Sequence, residues 1–198
     1  MRSWRHEISG RAQGEYRSAQ HEGTPVTSRR AVLAGAVAAA AGVAGLGAAW
    51  WQRRASAANE LDALWAMRFE RPEGGELAMA ALRGKPLLIN FWATWCAPCL
   101  RELPAIDQFH REFQPRGWQV VGLAIDGPTP VREFLARVKV GFPIGLAGLD
   151  GTDLVIKLGN AQGGLPFSVL IDSQGRVAER KLGATSLEEL TGWAKTTS

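Results

Sequence analysis

The chain has 198 residues, enough for one domain of ordinary size and an extension. Its formal net charge of +4 comes from one end, because residues 1–57 hold eight Lys or Arg against three Asp or Glu. Residues 58–198 carry fifteen against sixteen, so the domain lacks the basic excess that binds nucleic acid. The two cysteines are separated by only two residues, which leaves none for a separate structural disulfide.

The N-terminal part of the chain has the pattern of an export signal. Arg29-Arg30 stands directly before residues 31–51, which carry no charge and are dominated by Ala, Gly and Val. Ala55-Ser56-Ala57 follows, a small-x-small sequence of the kind that signal peptidase cuts. This order resembles a twin-arginine signal, although an uncleaved anchor stays open because 21 apolar residues can span a bilayer. Either way, we expect residues 58–198 to form a periplasmic domain.

Upstream of the cysteines, weak strand signals give way to a strong one. Residues 59–67 form a lead-in whose apolar side chains can pack on the domain, although 64–69 can equally be a first strand. Residues 76–82 indicate a short strand or a turn. Leu87 to Trp92 is apolar apart from Asn90, which is typical of a strand buried on both faces of a sheet.

A helix is predicted directly after this strand, from about Ala97 to Phe113. Pro104 lies inside it and removes one backbone hydrogen bond, so we expect a kink there. The helix has one apolar face, because apolar residues recur at three- and four-residue spacing: Leu100, Leu103, Ile106, Phe109 and Phe113.

The remainder of the chain alternates strands and helices. Residues 118–125 form the next buried strand, and Thr129 and Pro130 are the N-cap and first residue of a helix to about Lys139. This order predicts a βαβ unit with a parallel sheet. The last elements are a short strand within 142–149, one or two helical turns within 152–158, a strand over 167–171, an antiparallel partner over 176–181, and a helix from a capping box at 186–189 to about 195.

The cysteines therefore lie at a junction between a strand and a helix, with Cys96 at or next to the helix N-terminus. Free backbone N–H groups and the helix dipole favour an anion there. A thiolate is such an anion, and it is the form of cysteine that attacks disulfides. We expect Cys96 to be the nucleophile, and Cys99, one turn into the helix, to be the resolving thiol that closes a Cys96–Cys99 disulfide.

A metal site is the main alternative to redox chemistry. Zinc normally takes four ligands, and the chain has no third cysteine. His6 and His21 precede the apolar segment, and His110, three turns along the helix, is expected to be solvated. We predict no metal site and no cofactor, since the cysteines carry the electrons. A copper(I) metallochaperone stays open despite the lack of a nearby His or Met ligand. A peroxidase is disfavoured because both thiols lie in one Cys-x-x-Cys.

The segment Phe91–Cys99, FWATWC before Ala97-Pro98-Cys99, resembles the active-site segment of the thioredoxin superfamily. Asn90 before it and Leu100–Pro104 after it are similar to the extracytoplasmic TlpA/ResA-like branch of thiol–disulfide oxidoreductases. The resemblance runs from about residue 64 to 193. It implies an α/β thioredoxin fold over residues 58–198, with a central mixed β-sheet flanked by helices, an N-terminal extension and a small insertion.

The resemblance also implies roles for residues away from the cysteines. An X–Pro bond is trans in most cases, but the family's proline at the position of Pro166 is cis and packs against the cysteines. The backbone of Leu165 would then pair with an extended client segment, and Trp95 would add apolar client surface. Glu102 would tune Cys99 or relay its proton, unless it is an ordinary solvated helix residue. Asn90 stands where cytoplasmic thioredoxin has an aspartate, and an amide cannot titrate.

The activity implied by the resemblance is reductive thiol–disulfide exchange. Plausible clients are apocytochrome c before haem attachment and copper-site cysteines in oxidase assembly. A membrane electron-donor protein would re-reduce the pair. The main alternative is the opposite direction, an oxidant that donates disulfides, because the motif alone does not fix the reduction potential.

Overall fold

The computed structural model describes residues 61–197, together with Gly45 and Gly47. Apart from these two glycines, the predicted export signal or anchor lies outside the described residues. The same holds for its boundary at residue 57 and for His6 and His21. Within the described part of the chain, no helix has the length and apolar character needed to cross a bilayer.

Strands and helices alternate along the described chain. The described part of helix α1 covers residues 61–66. Two short 3-10 helices, Met79–Leu82 and Gln114–Arg116, follow β2 and α2. The other elements are β1 (Arg68–Glu70), β2 (Glu76–Ala78), β3 (Leu87–Trp92), α2 (Ala97–Phe113), β4 (Gln119–Ala124), α3 (Pro128–Arg137), β5 (Ile144–Leu146), α4 (Gly151–Lys157), β6 (Phe167–Ile171), β7 (Val177–Leu182) and α5 (Leu187–Thr197).

The strands form one mixed sheet in the order β2-β1-β5-β4-β3-β6-β7. Strand β4 is parallel to both β3 and β5, and the other neighbouring pairs are antiparallel. This arrangement confirms the predicted mixed sheet. It also confirms the predicted βαβ unit, which is β3-α2-β4 with β3 and β4 parallel. The end of β3 that leads into the cysteines therefore lies inside the sheet, between β4 and β6.

Strand β3 separates two hydrophobic cores because its side chains point alternately to opposite faces. Leu88 and Trp92 join the core beneath α2 and α5, whereas Leu87, Ile89 and Phe91 join the core beneath α1 and α4. All five are fully buried. Asn90 falls in the alternation between Leu88 and Trp92, and so it points towards α2.

The strongest sequence patterns agree with the structure. Strands β3 and β6 and helix α2 have the predicted bounds, and Pro104 lies inside α2. The capping box is formed, since Ser186 N donates to Glu189 Oε2 and Glu189 N donates to Ser186 Oγ. Residues 59–67 were predicted as a lead-in that packs on the domain, with 64–69 as an alternative first strand. The structure has a helix at residues 61–66 and a strand at Arg68–Glu70.

The predicted start of α3 is wrong. The helix begins at Pro128, with Gly127 as its N-cap, and ends at Arg137. A proline is well suited to the first helical position because its fixed φ is already helical and no N–H is lost from the ladder. Pro128 therefore starts the helix before the Thr129-Pro130 pair that the sequence favoured.

Candidate active site

The cysteine pair forms the junction between β3 and α2 as a Cys96–Cys99 disulfide, with the two Cα atoms 5.3 Å apart. Cys96 is the N-cap residue of α2, and its Sγ accepts a hydrogen bond from the backbone N of Cys99 at 3.3 Å. Cys96 is 6% exposed and Cys99 is fully buried. The structure thus places Cys96 as the more accessible sulfur, at the helix end whose unpaired N–H groups favour a thiolate.

Glu102 is a buried carboxyl group on the same helix, three residues after Cys99. Its side chain is 3% exposed, which excludes the solvated helix glutamate considered from the sequence. Oε2 accepts hydrogen bonds from Thr185 N at 2.6 Å and Thr185 Oγ1 at 3.0 Å. Oε1 accepts one from Asn90 Nδ2 at 2.7 Å. Residues three apart share one side of a helix, so this carboxyl is on the side of α2 that carries Cys99.

The hydrogen bonds of Glu102 extend into a buried network. Asn90 Nδ2 also donates to Ser168 Oγ at 3.1 Å. Asn90, Ser168 and Thr185 are at most 6% exposed. The network therefore joins β3, α2, β6 and the loop before α5. We call Asn90, Glu102, Ser168 and Thr185 the carboxyl network.

Two forces act on the ionisation of Glu102. Burial raises its pKa above the usual value, because the charged form loses its hydration. The hydrogen bonds from Thr185 and Asn90 and the charge of Lys181 act in the opposite direction. The net pKa is raised, so this carboxyl holds a proton more readily than a surface glutamate does.

The segment before β6 approaches the cysteines from a distant part of the chain. The Leu165–Pro166 peptide bond is cis, as the resemblance implied. Leu165 is half-buried against the core that contains Cys96 and Cys99, and Pro166 is buried. Pro166 O accepts from Gly183 N at 2.8 Å, whereas the backbone of Leu165 makes no hydrogen bond within the described residues. Trp95 is 66% exposed directly before Cys96.

Asp126 fixes the turn that leads into the cysteines, and sequence analysis missed it. Its Oδ2 accepts hydrogen bonds from Thr94 N at 3.1 Å and from Thr94 Oγ1. Oδ1 accepts from Gly127 N at 2.8 Å. Asp126 is 8% exposed and follows β4, so it ties the turn after β3 to the end of the neighbouring strand. Thr185 was missed as well.

His110 is not the solvated residue expected from the sequence. It is half-buried, its ring meets Phe142 edge-on at 6.2 Å, and its Nδ1 has no hydrogen-bond partner among the described residues. Burial lowers its pKa, against the charge of Asp107. The prediction failed because Phe142, 32 positions later, covers the helix there. Residues 61–197 contain no group of three or more His, Cys, Asp or Glu able to hold a metal ion.

A cavity of about 500 Å³ lies elsewhere on the domain, lined among others by Arg71, Arg132 and Phe142. Neither cysteine contributes to it. Beside the cysteines, Trp95 is exposed directly before Cys96, and Leu165 packs on the core that contains both cysteines and has an unpaired backbone within the described residues. This arrangement suits an extended or protruding partner more than an enclosed small molecule.

The family of the chain follows from its similarity to known proteins. The family model described as Redoxin matches residues 64–192. The chain belongs to the Redoxin family. The thiol-disulfide oxidoreductase ResA of Bacillus cereus is 31% identical to this redoxin over 122 residues, which are 61% of the chain and 68% of ResA.

Solved structures show the same relationship. DsbF from MTB, in its mixed oxidized and reduced forms, has a TM-score of 0.58 and 26% identity, covering 68% of this redoxin and 96% of that chain. A thiol:disulfide interchange protein of the thioredoxin family from Chlorobium tepidum TLS also has a TM-score of 0.58 and 26% identity, covering 66% and 92%. With the Cys96–Cys99 disulfide, these relatives make this redoxin a thiol–disulfide oxidoreductase of thioredoxin fold.

Proposed function

We propose that this redoxin is an extracytoplasmic reductase of protein disulfides. The observation that carries the proposal is the placement of Cys96 as the N-cap of α2, bonded to Cys99, with Glu102 buried one turn further on. The Arg29-Arg30 pattern before the apolar segment supports export to the periplasm, with residues 31–51 as signal or anchor.

The reaction begins with reduced enzyme. The Cys96 thiolate attacks one sulfur of the client disulfide, a Cys96–client bond forms, and the other client sulfur leaves as a thiolate. Cys99 then transfers its proton to Glu102 and attacks Cys96 Sγ, which releases the second client thiolate. The client has gained two electrons and the enzyme has become the Cys96–Cys99 disulfide. Glu102 returns its proton to a departing thiolate.

The client is held beside the disulfide by three residues. Trp95 offers exposed apolar area next to Cys96, and Leu165 offers a backbone that is free to pair with an extended segment. Pro166 forms the buried floor behind Leu165. Pairing through the backbone depends on an extended conformation of the client more than on its side chains. This site therefore suits several clients that share an exposed disulfide.

The clients that we propose are proteins whose cysteines must be reduced before they take a cofactor. Apocytochrome c before haem attachment and copper-site proteins of an oxidase belong to this class, and the resemblance to the TlpA/ResA-like branch supports them. A membrane electron-donor protein re-reduces Cys96 and Cys99 after each turnover, since two electrons leave with every client.

The direction of electron flow is tested by the reduction potential of the Cys96–Cys99 couple, equilibrated against a thiol redox buffer. A reductase is expected near the potential of thioredoxin, about −270 mV. A potential near −120 mV, the strongly oxidising end of the range, contradicts the reductive direction and makes the protein a disulfide donor. Stoichiometric copper(I) binding without exchange turnover favours a metallochaperone instead.

The roles of the two cysteines are tested by trapping the mixed disulfide. Cys99→Ser leaves the nucleophile without its resolving thiol, so a client is expected to stay bonded to Cys96 until a reductant is added. Cys96→Ser is the matched control and is expected to trap little or nothing, because Cys99 is fully buried. Trapping by both variants equally would contradict the assignment of Cys96 as nucleophile.

A further inference from the structure

Asn90 has an unused hydrogen-bonding atom at the centre of the carboxyl network. Both hydrogens of its Nδ2 are engaged, by Glu102 Oε1 at 2.7 Å and Ser168 Oγ at 3.1 Å. Its Oδ1 has no partner within the described residues, although the side chain is fully buried. Buried polar atoms are nearly always hydrogen-bonded, so an unpartnered amide oxygen beside a carboxyl group calls for a reason.

The observed orientation of the amide suits an ionised Glu102. Oε2 already accepts two hydrogen bonds, and one of them comes from the backbone N–H of Thr185, which can only donate. Oε1 accepts a single hydrogen bond, from Asn90. A proton on Oε2 would force the Thr185 hydroxyl to turn from donor to acceptor while the Thr185 N–H still points at the same oxygen, so Oε1 is the less crowded place for a proton taken up by Glu102. With the amide as it stands, the new O–H and the N–H of Asn90 would be two donors facing each other.

A half-turn of the amide group removes this conflict. It puts Oδ1 in the place of Nδ2, where Oδ1 accepts from the Glu102 O–H and from the Ser168 hydroxyl, which can rotate to donate. Nδ2 then occupies the unpartnered position. Each orientation leaves one amide atom without a partner, so the exchange adds no buried unsatisfied atom. The terminal torsion of asparagine is broad and roughly two-fold, which permits both orientations.

We propose that Asn90 is a positioning residue whose amide turns with the protonation state of Glu102, so that Glu102 takes up and releases a proton without losing a hydrogen bond. The inference rests on the proposed function, in which the S–H bond of Cys99 breaks and an O–H bond forms on Glu102. The electron pair stays on the Cys99 sulfur, which attacks Cys96. An aspartate at position 90 would place a second carboxylate against Glu102, and two such groups cannot both ionise.

Within residues 61–197, few other groups act on Glu102. Lys181 of β7 lowers its pKa, and the Nζ of Lys181 is itself paired with Glu189 of α5. Helix α2 contributes the two cysteine thiols when the disulfide is reduced. Strands β3 and β6 contribute Asn90 and Ser168, which carry no charge. Titrating both redox states therefore isolates the effect of the thiols on Glu102. Lys181 and Glu189 are present in both states, and only the thiols change between them.

The proposal is tested by nuclear magnetic resonance titration of the full-length protein, oxidised and reduced, between about pH 4 and pH 10. The side-chain carboxyl signal of Glu102 and the side-chain amide signals of Asn90 are expected to shift with one common midpoint. Asn160 is a matched control, because it is 5% exposed and its Nδ2 donates to the carbonyl of Gly164, which does not titrate. Its amide signals are expected to stay constant through that midpoint.

Two variants test the coupling between position 90 and Glu102. In Glu102→Gln the neighbouring group is permanently neutral, so the Asn90 signals are expected to become independent of pH. Asn90→Asp is expected to raise the midpoint of the carboxyl pair by about one unit or more and to split it into two steps, because the two carboxyls interact. The Glu102→Gln result shows that the pH response of Asn90 comes from Glu102, and the Asn90→Asp result shows that positions 90 and 102 are close enough for two titrating groups to interact.

Three outcomes overturn the proposal. These are Asn90 signals that stay constant while Glu102 titrates, a Glu102 signal that never titrates, and Asn90 signals that still shift in Glu102→Gln. Reduction of a model disulfide by the same wild-type sample tests the proposed function separately. An active enzyme with an unresponsive Asn90 refutes this inference alone, whereas an inactive enzyme with a responsive Asn90 refutes the proposed function alone.

Discussion

Glu102 is a carboxyl group that hydrogen bonds hold inside the protein, with no direct ion pair among the described residues. Thr185 and Asn90 supply all three of its donors, while Lys181 pairs with Glu189. Because burial raises its pKa in the folded state, ionising Glu102 costs more in the folded protein than in the unfolded chain. Its contribution to stability is therefore complete below the unfolded value, about 4.3, and declines as the pH rises through the folded pKa.

The substitution Glu102→Gln tests this sign, because glutamine cannot ionise. As the pH rises from about 4.3 through the folded pKa of Glu102, the wild type is expected to lose stability relative to the variant, and the difference then levels off. Urea unfolding of the oxidised proteins over a pH series measures the difference. Glu112→Gln, at an exposed site on the same helix, is the control. A Glu102→Gln difference that does not change with pH would contradict the prediction.

Asp126 gives a second prediction at this scale. Asp126→Ala leaves the N–H groups of Thr94 and Gly127 without their acceptor, which is expected to cost about 1–3 kcal/mol of unfolding free energy. Asp126→Asn keeps one acceptor oxygen and is expected to cost less. Urea unfolding measures the cost, and faster amide hydrogen exchange at Thr94 locates it. Equal stability of the alanine variant and the wild type would show that the hydrogen bonds of Asp126 to Thr94 and Gly127 do not stabilise the fold.

The sequence pattern identified the cysteines and the family resemblance pointed to Glu102, but neither identified the residues that hold them. Thr185 is 83 residues from Glu102, and Asp126 is 32 residues from Thr94. No local spacing encodes such contacts. The burial of Glu102 was also out of reach, since a glutamate on a helix is usually exposed, and the residues that contact its carboxyl here, Asn90 and Thr185, are distant in sequence. The network became visible only when β3, β6 and α2 were placed together.

At the scale of elements, predictions succeeded where the local pattern was long. Strand β3 and helix α2 each carry an unambiguous periodicity, and β6 is a clean apolar run, so their bounds were predictable. Strands β1 and β5 have three residues each, too few for any period, and they exist through pairing with their neighbours. Helix α3 was misplaced because two prolines compete for its first turn.

Gly122 of β4 gives a prediction of its own, because the side chains around it leave no room for a Cβ. A Cβ at Gly122 would lie 2.6 Å from Ile144 Cδ1, 2.9 Å from Phe142 Cε2 and 3.1 Å from Trp92 Nε1. Gly122→Ala is therefore expected to cost about 1–3 kcal/mol through overpacking. Gly127→Ala is the control, since its Cβ meets only Pro130 Cδ at 3.7 Å and its φ is −67°.

Urea unfolding of the two alanine variants makes this comparison direct. The Gly122→Ala midpoint is expected to fall well below that of Gly127→Ala with the same denaturant slope, because the clash changes stability and not the surface that unfolding exposes. Equal midpoints would mean that Ile144 and Phe142 move aside at no cost. The side-chain packing around position 122 would then not depend on glycine.

At the scale of the whole molecule, charge and family similarity divide the chain in the same way. The Redoxin match covers residues 64–192, inside the segment 58–198 whose charges nearly balance. The basic excess lies entirely in residues 1–57, which carry no part of that match. This division fits our proposal that residues 1–57 serve export.

The export prediction is tested by changing Arg29 and Arg30 together to lysine, which keeps the charge and removes the arginine pair. The wild type is expected in the periplasmic or membrane fraction of a bacterial host, and the double variant is expected to stay in the cytoplasm. The same change at Arg53 and Arg54, beyond the apolar segment, is the matched control and should be exported. Normal export of the Arg29/Arg30 variant would contradict the twin-arginine prediction.

The N-terminus of the exported wild-type protein then decides between a cleaved signal and an anchor. A chain that begins at Ala58 and is free of the membrane has been cut after the small-x-small site. An intact chain in the membrane fraction has kept residues 31–51 as an anchor. An anchored enzyme stays within reach of a membrane electron donor, whereas a released one must diffuse to it. Re-reduction by membranes should therefore depend on enzyme concentration only in the cleaved case.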